Sequence, residues 1–252
     1  MILRREPTER QLESPLGRTS PLAKLGVALA WLIGLATTTA MAPPLVLAAV
    51  AAVAGLTLGR MAAGSLLRGA APLLIAALSV GFFNAVFAAA NVDPAATELA
   101  KIGPLRLTEQ ALVGGAGLAA RIVAIAVVGV VFAGTTDSTR LVDALVQQAR
   151  APERFAYGAL AAYQAVPRLG EDLATLRQAR RIRGLRGSWH PRLLVGLLVL
   201  AVRHADRLAL AMDARGFGSG PRSRYRIVRW GPGDAALAVA AGSVLVAVLA
   251  VA

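Results

Sequence analysis

The sequence contains no cysteine, which excludes disulfides and every metal site built on thiolates. Histidine is nearly as scarce. His190 and His204 are the only two, too few for a His-rich metal site. Charge is thin as well: Asp, Glu, Lys and Arg make up 16% of the 252 residues, where a soluble domain carries about 25%. The missing charge is replaced by apolar side chains, 56% of the chain. Strand-like alternation is absent, so nothing suggests a membrane barrel, and in lipid the backbone must then satisfy itself within helices. The first 20 residues are polar and of mixed sign, with Arg4, Arg5, Glu6, Glu9, Arg10 and Glu13. They lack the short apolar core and small-residue cleavage site of a signal peptide and read as a cytoplasmic tail.

What is present comes in blocks. Apolar runs cover Leu22 to about Ala42, Leu45–Leu58, Ala70–Ala90, Ala111–Ala133 and Ala235–Ala252. Each approaches the roughly 20 residues a bilayer requires, although the second is short without its flanks. Pro21 suits a first helical turn, Pro43-Pro44 reads as a tight break, and Arg60 and Arg68 flank a short segment. Residues 91–110 form a polar stretch with Asp93-Pro94 and Gly103-Pro104. The expected fold class is an all-α integral membrane protein with about five transmembrane helices. Its parts are a tail at 1–20, four spans within 21–134, a helical module at 135–232 and a last span at 233–252.

Lys and Arg set the orientation. Residues 135–232 hold 17 Arg against 7 Asp or Glu, and such a segment beside spans stays in the cytoplasm. Counting back through four spans places the amino terminus and the Arg60–Arg68 loop inside, and places 91–110 outside, where Lys101 and Arg106 are the basic residues. The carboxyl terminus then lies outside.

The basic module reads as three helices. Asp137-Ser138-Thr139 offers capping oxygens for the first, Pro152 begins the second, and Pro167 kinks or restarts it. Leu169, Leu173, Leu176 and Ala179 share one helical face, with Arg177, Arg180 and Arg181 on the other side. The third runs from about Pro191 to Arg215. Its apolar first half is too short to cross a membrane alone and suits packing at a membrane surface. The second and third helices each end in Arg-Gly, at Arg183-Gly184 and Arg215-Gly216. Glycine adopts positive φ without a Cβ clash, and a single such Arg is explained by the negative end of the helix dipole. Recurrence 32 residues apart in one module points further: Arg is a planar, permanently charged fork, and two forks on a rigid helix pair suit two equivalent acidic pockets.

With these motifs in view, the chain resembles the transmembrane T component of energy-coupling factor transporters, grouped with the cobalt transport permeases. The resemblance covers SPLGRTSPLAKLG (Ser14–Gly26), Arg121, Thr135-Thr136, Pro152, VPRLGEDLATLRQARRIRG (Val166–Gly184) and AMDARGFG (Ala211–Gly218). The last is the most specific. The family's two X-Arg-X motifs match Ile182-Arg183-Gly184 and Ala214-Arg215-Gly216. Ile182 departs from the family's preference for Ala, and Arg180, Arg181 and Arg186 crowd the first motif, which leaves its contact open among them. The resemblance implies a plasma-membrane, multi-pass subunit whose coupling helices dock two ABC-type ATPase subunits through Arg183 and Arg215. A separate small membrane protein, the S component, then binds the vitamin or metal ion. This chain is expected to bind no cofactor and catalyse nothing. It has no GxxxxGK[ST] sequence, so ATP and Mg belong to the partner ATPases.

Arg121 lies inside the fourth span, where an ionisable residue is a functional candidate by default. A structural role and a role in S-component coupling both remain open. Gly114, Gly115 and Gly117 permit close helix packing or a smooth surface for a turning partner. His204 and Asp206, two apart on one helix, face different ways. Asp93, Glu98 and Glu109 show no ligand spacing. Trp189 and Tyr225 among arginines are compatible with nucleic acid, but the positive-inside rule already accounts for the charge, so the expected general partner is the lipid bilayer. The alternatives are a stand-alone secondary transporter, which needs ionisable groups along a path, and a membrane-embedded enzyme, which needs a His, Asp or Glu cluster.

Overall fold

The computed structural model describes residues 8–250 except 39, 93–96, 103–104, 186, 188 and 221–223, with the side chains of 100, 102 and 105 also excepted. Asp93-Pro94, Gly103-Pro104, Arg186 and the tail residues Arg4, Arg5 and Glu6 lie outside the described residues. The chain divides into two units. Ser138–Val228 builds one, and the described residues on either side of it build the other.

The second of these holds the apolar helices. Two short turns, α1 (Glu9–Leu12) and α2 (Pro15–Arg18), lead to α3 (Pro21–Thr37), α4 (Ala42–Thr57), α5 (Ala63–Phe87), α6 (Glu109–Thr135) and, after the inserted unit, α10 (Pro232–Ala250). The helices through α5, α6 and α10 are long and apolar enough to cross a membrane, whereas α3 and α4 are apolar but shorter. The break expected at Pro43-Pro44 falls earlier. Both prolines sit in the first turn of α4, where the N–H groups have no intrahelical acceptor and their loss costs nothing. Helix α5 begins well before Ala70 and contains Arg68 and Pro72. The Arg68 Nε donates to the Gly64 carbonyl at 2.8 Å, so the cation folds back along its own exposed helix face. Residues 91–110 are not merely loop: β1 (Glu98–Ile102) and β2 (Leu105–Thr108) pair antiparallel, the one exception to an all-α architecture among the described residues.

Small side chains let these helices close up. A Cβ added to Gly81 of α5 would lie 2.9 Å from the Ala119 Cβ and 3.0 Å from the Gly115 carbonyl oxygen of α6, so that crossing admits only glycine. Trp31, Leu35, Leu47, Ala51, Ala124 and Ala241 form the core, and the Trp31 indole donates to the Ala241 carbonyl at 3.0 Å, which ties α3 to α10. At one end of this unit the buried Lys24 ammonium donates to the Thr135 carbonyl at 2.7 Å, a cation placed at the negative end of α6. Buried Asp234 accepts there from the backbone N–H groups of Ser20 at 2.6 Å and Gly231 at 2.8 Å. At the other end Asn91 donates to the carbonyls of Ala85 and Val86 and accepts from the Thr108 N–H and hydroxyl. Thr108 in turn caps α6.

The inserted unit contains α7 (Ser138–Gln148), α8 (Glu153–Ile182) and α9 (Pro191–Ala214). Helix α8 starts after Pro152, as expected, and continues unbroken through Pro167. Leu176 of α8 faces Gly196 of α9, where an added Cβ would meet its Cδ1 at 3.4 Å. Ala161 and Met212, each nearer the opposite end of its helix, line a common cavity, so the two helices run antiparallel. No residue of α8 is buried, and Leu193 alone is buried in α9.

Candidate docking site

Both Arg-Gly ends close with the same pair of backbone hydrogen bonds, at the glycine and the residue after it. In α8 the cap is Arg183, with φ −76° and ψ 9°. Gly184 follows at φ +72°. The Gly184 N–H donates to the Arg181 carbonyl at 3.0 Å and the Leu185 N–H to the Arg180 carbonyl at 3.3 Å. In α9 the cap is Arg215, with φ −92° and ψ 10°, and Gly216 follows at φ +67°. The Gly216 N–H donates to the Asp213 carbonyl at 2.9 Å and the Phe217 N–H to the Met212 carbonyl at 3.0 Å. This paired bonding is the Schellman motif. It fixes each arginine's backbone at the turn where a helix stops, while Ile182, Arg183, Ala214 and Arg215 all remain exposed.

The two ends are far apart. In an antiparallel pair the carboxyl ends point in opposite directions, and the 24 residues of α9 span about 36 Å at 1.5 Å per residue. Two guanidinium forks so separated cannot serve one small ligand. They can each meet a carboxylate on a different partner surface.

Arg215 also borders a cavity of about 610 Å³ that Asp143, Tyr157, Met212, Phe217, Arg224 and Arg226 help to line. Its walls are braced by side chains that the sequence did not single out. The Tyr157 hydroxyl donates to Asp143 Oδ1 at 2.8 Å, joining α8 to α7. Burial pushes the Tyr157 phenol up to about 12, helped by that hydrogen bond and by the charges of Asp143 and Glu153, so the donor stays protonated. Gln147 holds the returning chain twice, donating to the Arg226 carbonyl at 2.8 Å and accepting from the Val228 N–H at 2.9 Å. Arg154 Nη2 donates to the Gly218 carbonyl at 3.0 Å. Gly218 has φ +80°, and an added Cβ would lie 3.0 Å from the Arg154 guanidinium carbon. The AMDARGFG turn is therefore stapled to the start of α8. The glycine at 218 was visible in the sequence, but nothing there named its partner.

The profile of a family described as cobalt transport protein matches residues 19–226. The chain belongs to the cobalt transport protein family. A protein named energy-coupling factor transporter transmembrane protein EcfT, from Listeria innocua serovar 6a, is 30% identical over 161 residues, 57% of this chain and 60% of that protein. Its namesake from Limosilactobacillus fermentum is 33% identical over 138 residues, 48% of this chain and 52% of that protein. The matched stretch thus spans less than two thirds of either relative. As a member of the cobalt transport protein family, this chain is a transport-family membrane protein, and both Arg-Gly ends fall inside the profile match.

The remaining sequence candidates scatter. Half-buried Arg121 lies midway along α6. Gly115 and Gly117 are buried, whereas Gly114 is exposed. His204 borders a groove with Glu171 and Asp172 that does not include Asp206. Glu98 pairs with Arg106 across the hairpin at 3.3 Å, and Glu109 occupies the first turn of α6. Trp189 and Tyr225 are exposed. Among the described residues, no three His, Cys, Asp or Glu side chains are grouped to hold a metal ion.

Proposed function

We propose that this chain is the T component of an energy-coupling factor importer in the plasma membrane. Two cytoplasmic ABC-type ATPase subunits dock on the inserted helices, one at Arg183 and one at Arg215. The ATPases bind ATP and Mg. Their movement passes through α8 and α9 to a small membrane S component that binds the vitamin or metal ion and reorients. This chain itself hydrolyses nothing, and substrate choice belongs to the S component.

One observation carries the reading: the same Schellman end, with Arg at the cap and Gly after it, terminates both long helices of one unit, about a helix length apart. Evenly matched, widely separated forks suit a pair of like partners. The largely bare apolar half of α9, with Leu194, Val195, Leu198 and Val202 exposed, supports a further contact with a membrane protein. The basic insert supports a cytoplasmic position for this unit.

Co-purification in detergent tests the reading. The tagged wild-type chain is expected to bring two ABC-type ATPase chains and a small membrane protein. Arg183→Glu with Arg215→Glu is expected to lose the ATPases while still inserting in the membrane. A double variant that keeps its ATPases and its transport would refute the docking role. A wild-type chain that purifies alone and moves a solute in liposomes would instead make it a stand-alone secondary transporter.

A further inference from the structure

We infer that the face of α6 centred on Arg121 receives a membrane helix bearing a carboxylate at mid-bilayer depth. Its identity as a helix of the S component rests on the reading proposed above.

Arg121 is the thirteenth of 27 residues in α6, roughly 18 Å from one end and 21 Å from the other. Half the hydrocarbon core of a bilayer is about 15 Å. The guanidinium is permanently charged, and its Nε is buried and has no hydrogen-bond partner among the described residues. Because the side chain as a whole is only half-buried, the terminal nitrogens are the donors that an acceptor from outside would meet. Nor do the apolar helices supply a counterion. The acidic residues of α3, α4, α5, α6 and α10 are Glu109 and Asp234, both in first turns, and Asp234 is engaged by Ser20 and Gly231. A charge left so in lipid calls for an acceptor from outside the chain.

The surroundings are shaped for a helix. Gly114, Leu118, Arg121, Ile125 and Gly129 follow at intervals of four, three, four and four, which is one helical face. A Cβ added at Gly114 or Gly129 would meet nothing within 4 Å, whereas the adjacent Gly115 is closed against α5. The open glycines thus serve no packing within the described chain and leave a shallow groove on either side of the arginine. Headgroup phosphates lie too far from mid-depth to fill it. A second copy packed through the same face would set Arg121 against Arg121. A helix with a buried Asp or Glu matches both the groove and the charge.

The chain has no cysteine, so single-cysteine cross-linking in the full complex provides the test. Gly114→Cys and Gly129→Cys are expected to cross-link to the small membrane subunit in native vesicles. Adding Arg121→Gln should reduce the cross-link at least about tenfold, with ATPase content unchanged. Arg121→Glu should be rescued by an Arg in place of one carboxylate in the cross-linked helix. Gly114→Leu fills the groove without touching the charge or any packed neighbour, and should also displace the subunit. Undiminished cross-linking in both Arg121→Gln and Gly114→Leu overturns the inference, as does a cross-linked helix without a carboxylate. If the wild-type complex holds no ATPases, the energy-coupling reading falls while a charge-rescued cross-link still establishes the groove.

Discussion

Left-handed backbone is used at the ends of all three inserted helices, with different residues. Gly184 and Gly216 adopt it after α8 and α9, but after α7 it is Arg150, at φ +54°, that does so. A side chain in this region carries a cost of about 1 kcal/mol or more that glycine avoids. Arg150→Gly is therefore expected to raise the stability of the inserted unit by about 1 kcal/mol, measured as an upward shift of the thermal transition in detergent. A lower transition would mean that the Arg150 side chain contributes more than its strained backbone costs. The Arg-Gly ends were legible in the sequence because positive φ after a helix is a local demand that few residues other than glycine meet. Arg150 was not, since its backbone follows from where the chain must go next.

Among elements, the two Arg-Gly ends proposed for docking differ in support. The α9 end is stapled by Arg154 to the Gly218 carbonyl, and the 226–228 segment beside the cavity is gripped by Gln147. Arg154→Ala removes a charged donor worth about 1 kcal/mol at an exposed site. Amide hydrogen exchange should then quicken severalfold across 212–219 and stay unchanged across 180–185. Equal exchange in wild type and variant would show that the staple does not hold the turn. The helices themselves were readable from apolar length, yet their starts were not. Proline marks a break in most contexts, but Pro43 and Pro44 lie inside α4 because the first turn of a helix has no N–H acceptors to lose. Arg68 was read as a flank although it lies within α5, since a long side chain can carry its charge along an exposed helix face.

For the molecule as a whole, the proposed orientation is open to a direct check. The ends of the apolar unit are locked differently, by Lys24 and Asp234 at one and by Asn91 and Thr108 at the other. With the inserted unit in the cytoplasm, a cysteine placed at Leu99 should react with a membrane-impermeant thiol reagent in intact cells, and one placed at Arg183 only after the cells are opened. The reverse pattern would invert the orientation. Membrane class, helix content, the basic insert and both Arg-Gly ends were present in composition, periodicity and local turn chemistry, because each depends on residues a few positions apart. The locks were not. Lys24 finds the Thr135 carbonyl 111 residues away, and Asp234 finds the Ser20 N–H across 214. The same holds for Gly114, which differs from Gly115 only in facing outward. Which side of a helix is covered, and by what, follows from how distant segments pack, and linear order carries no record of that.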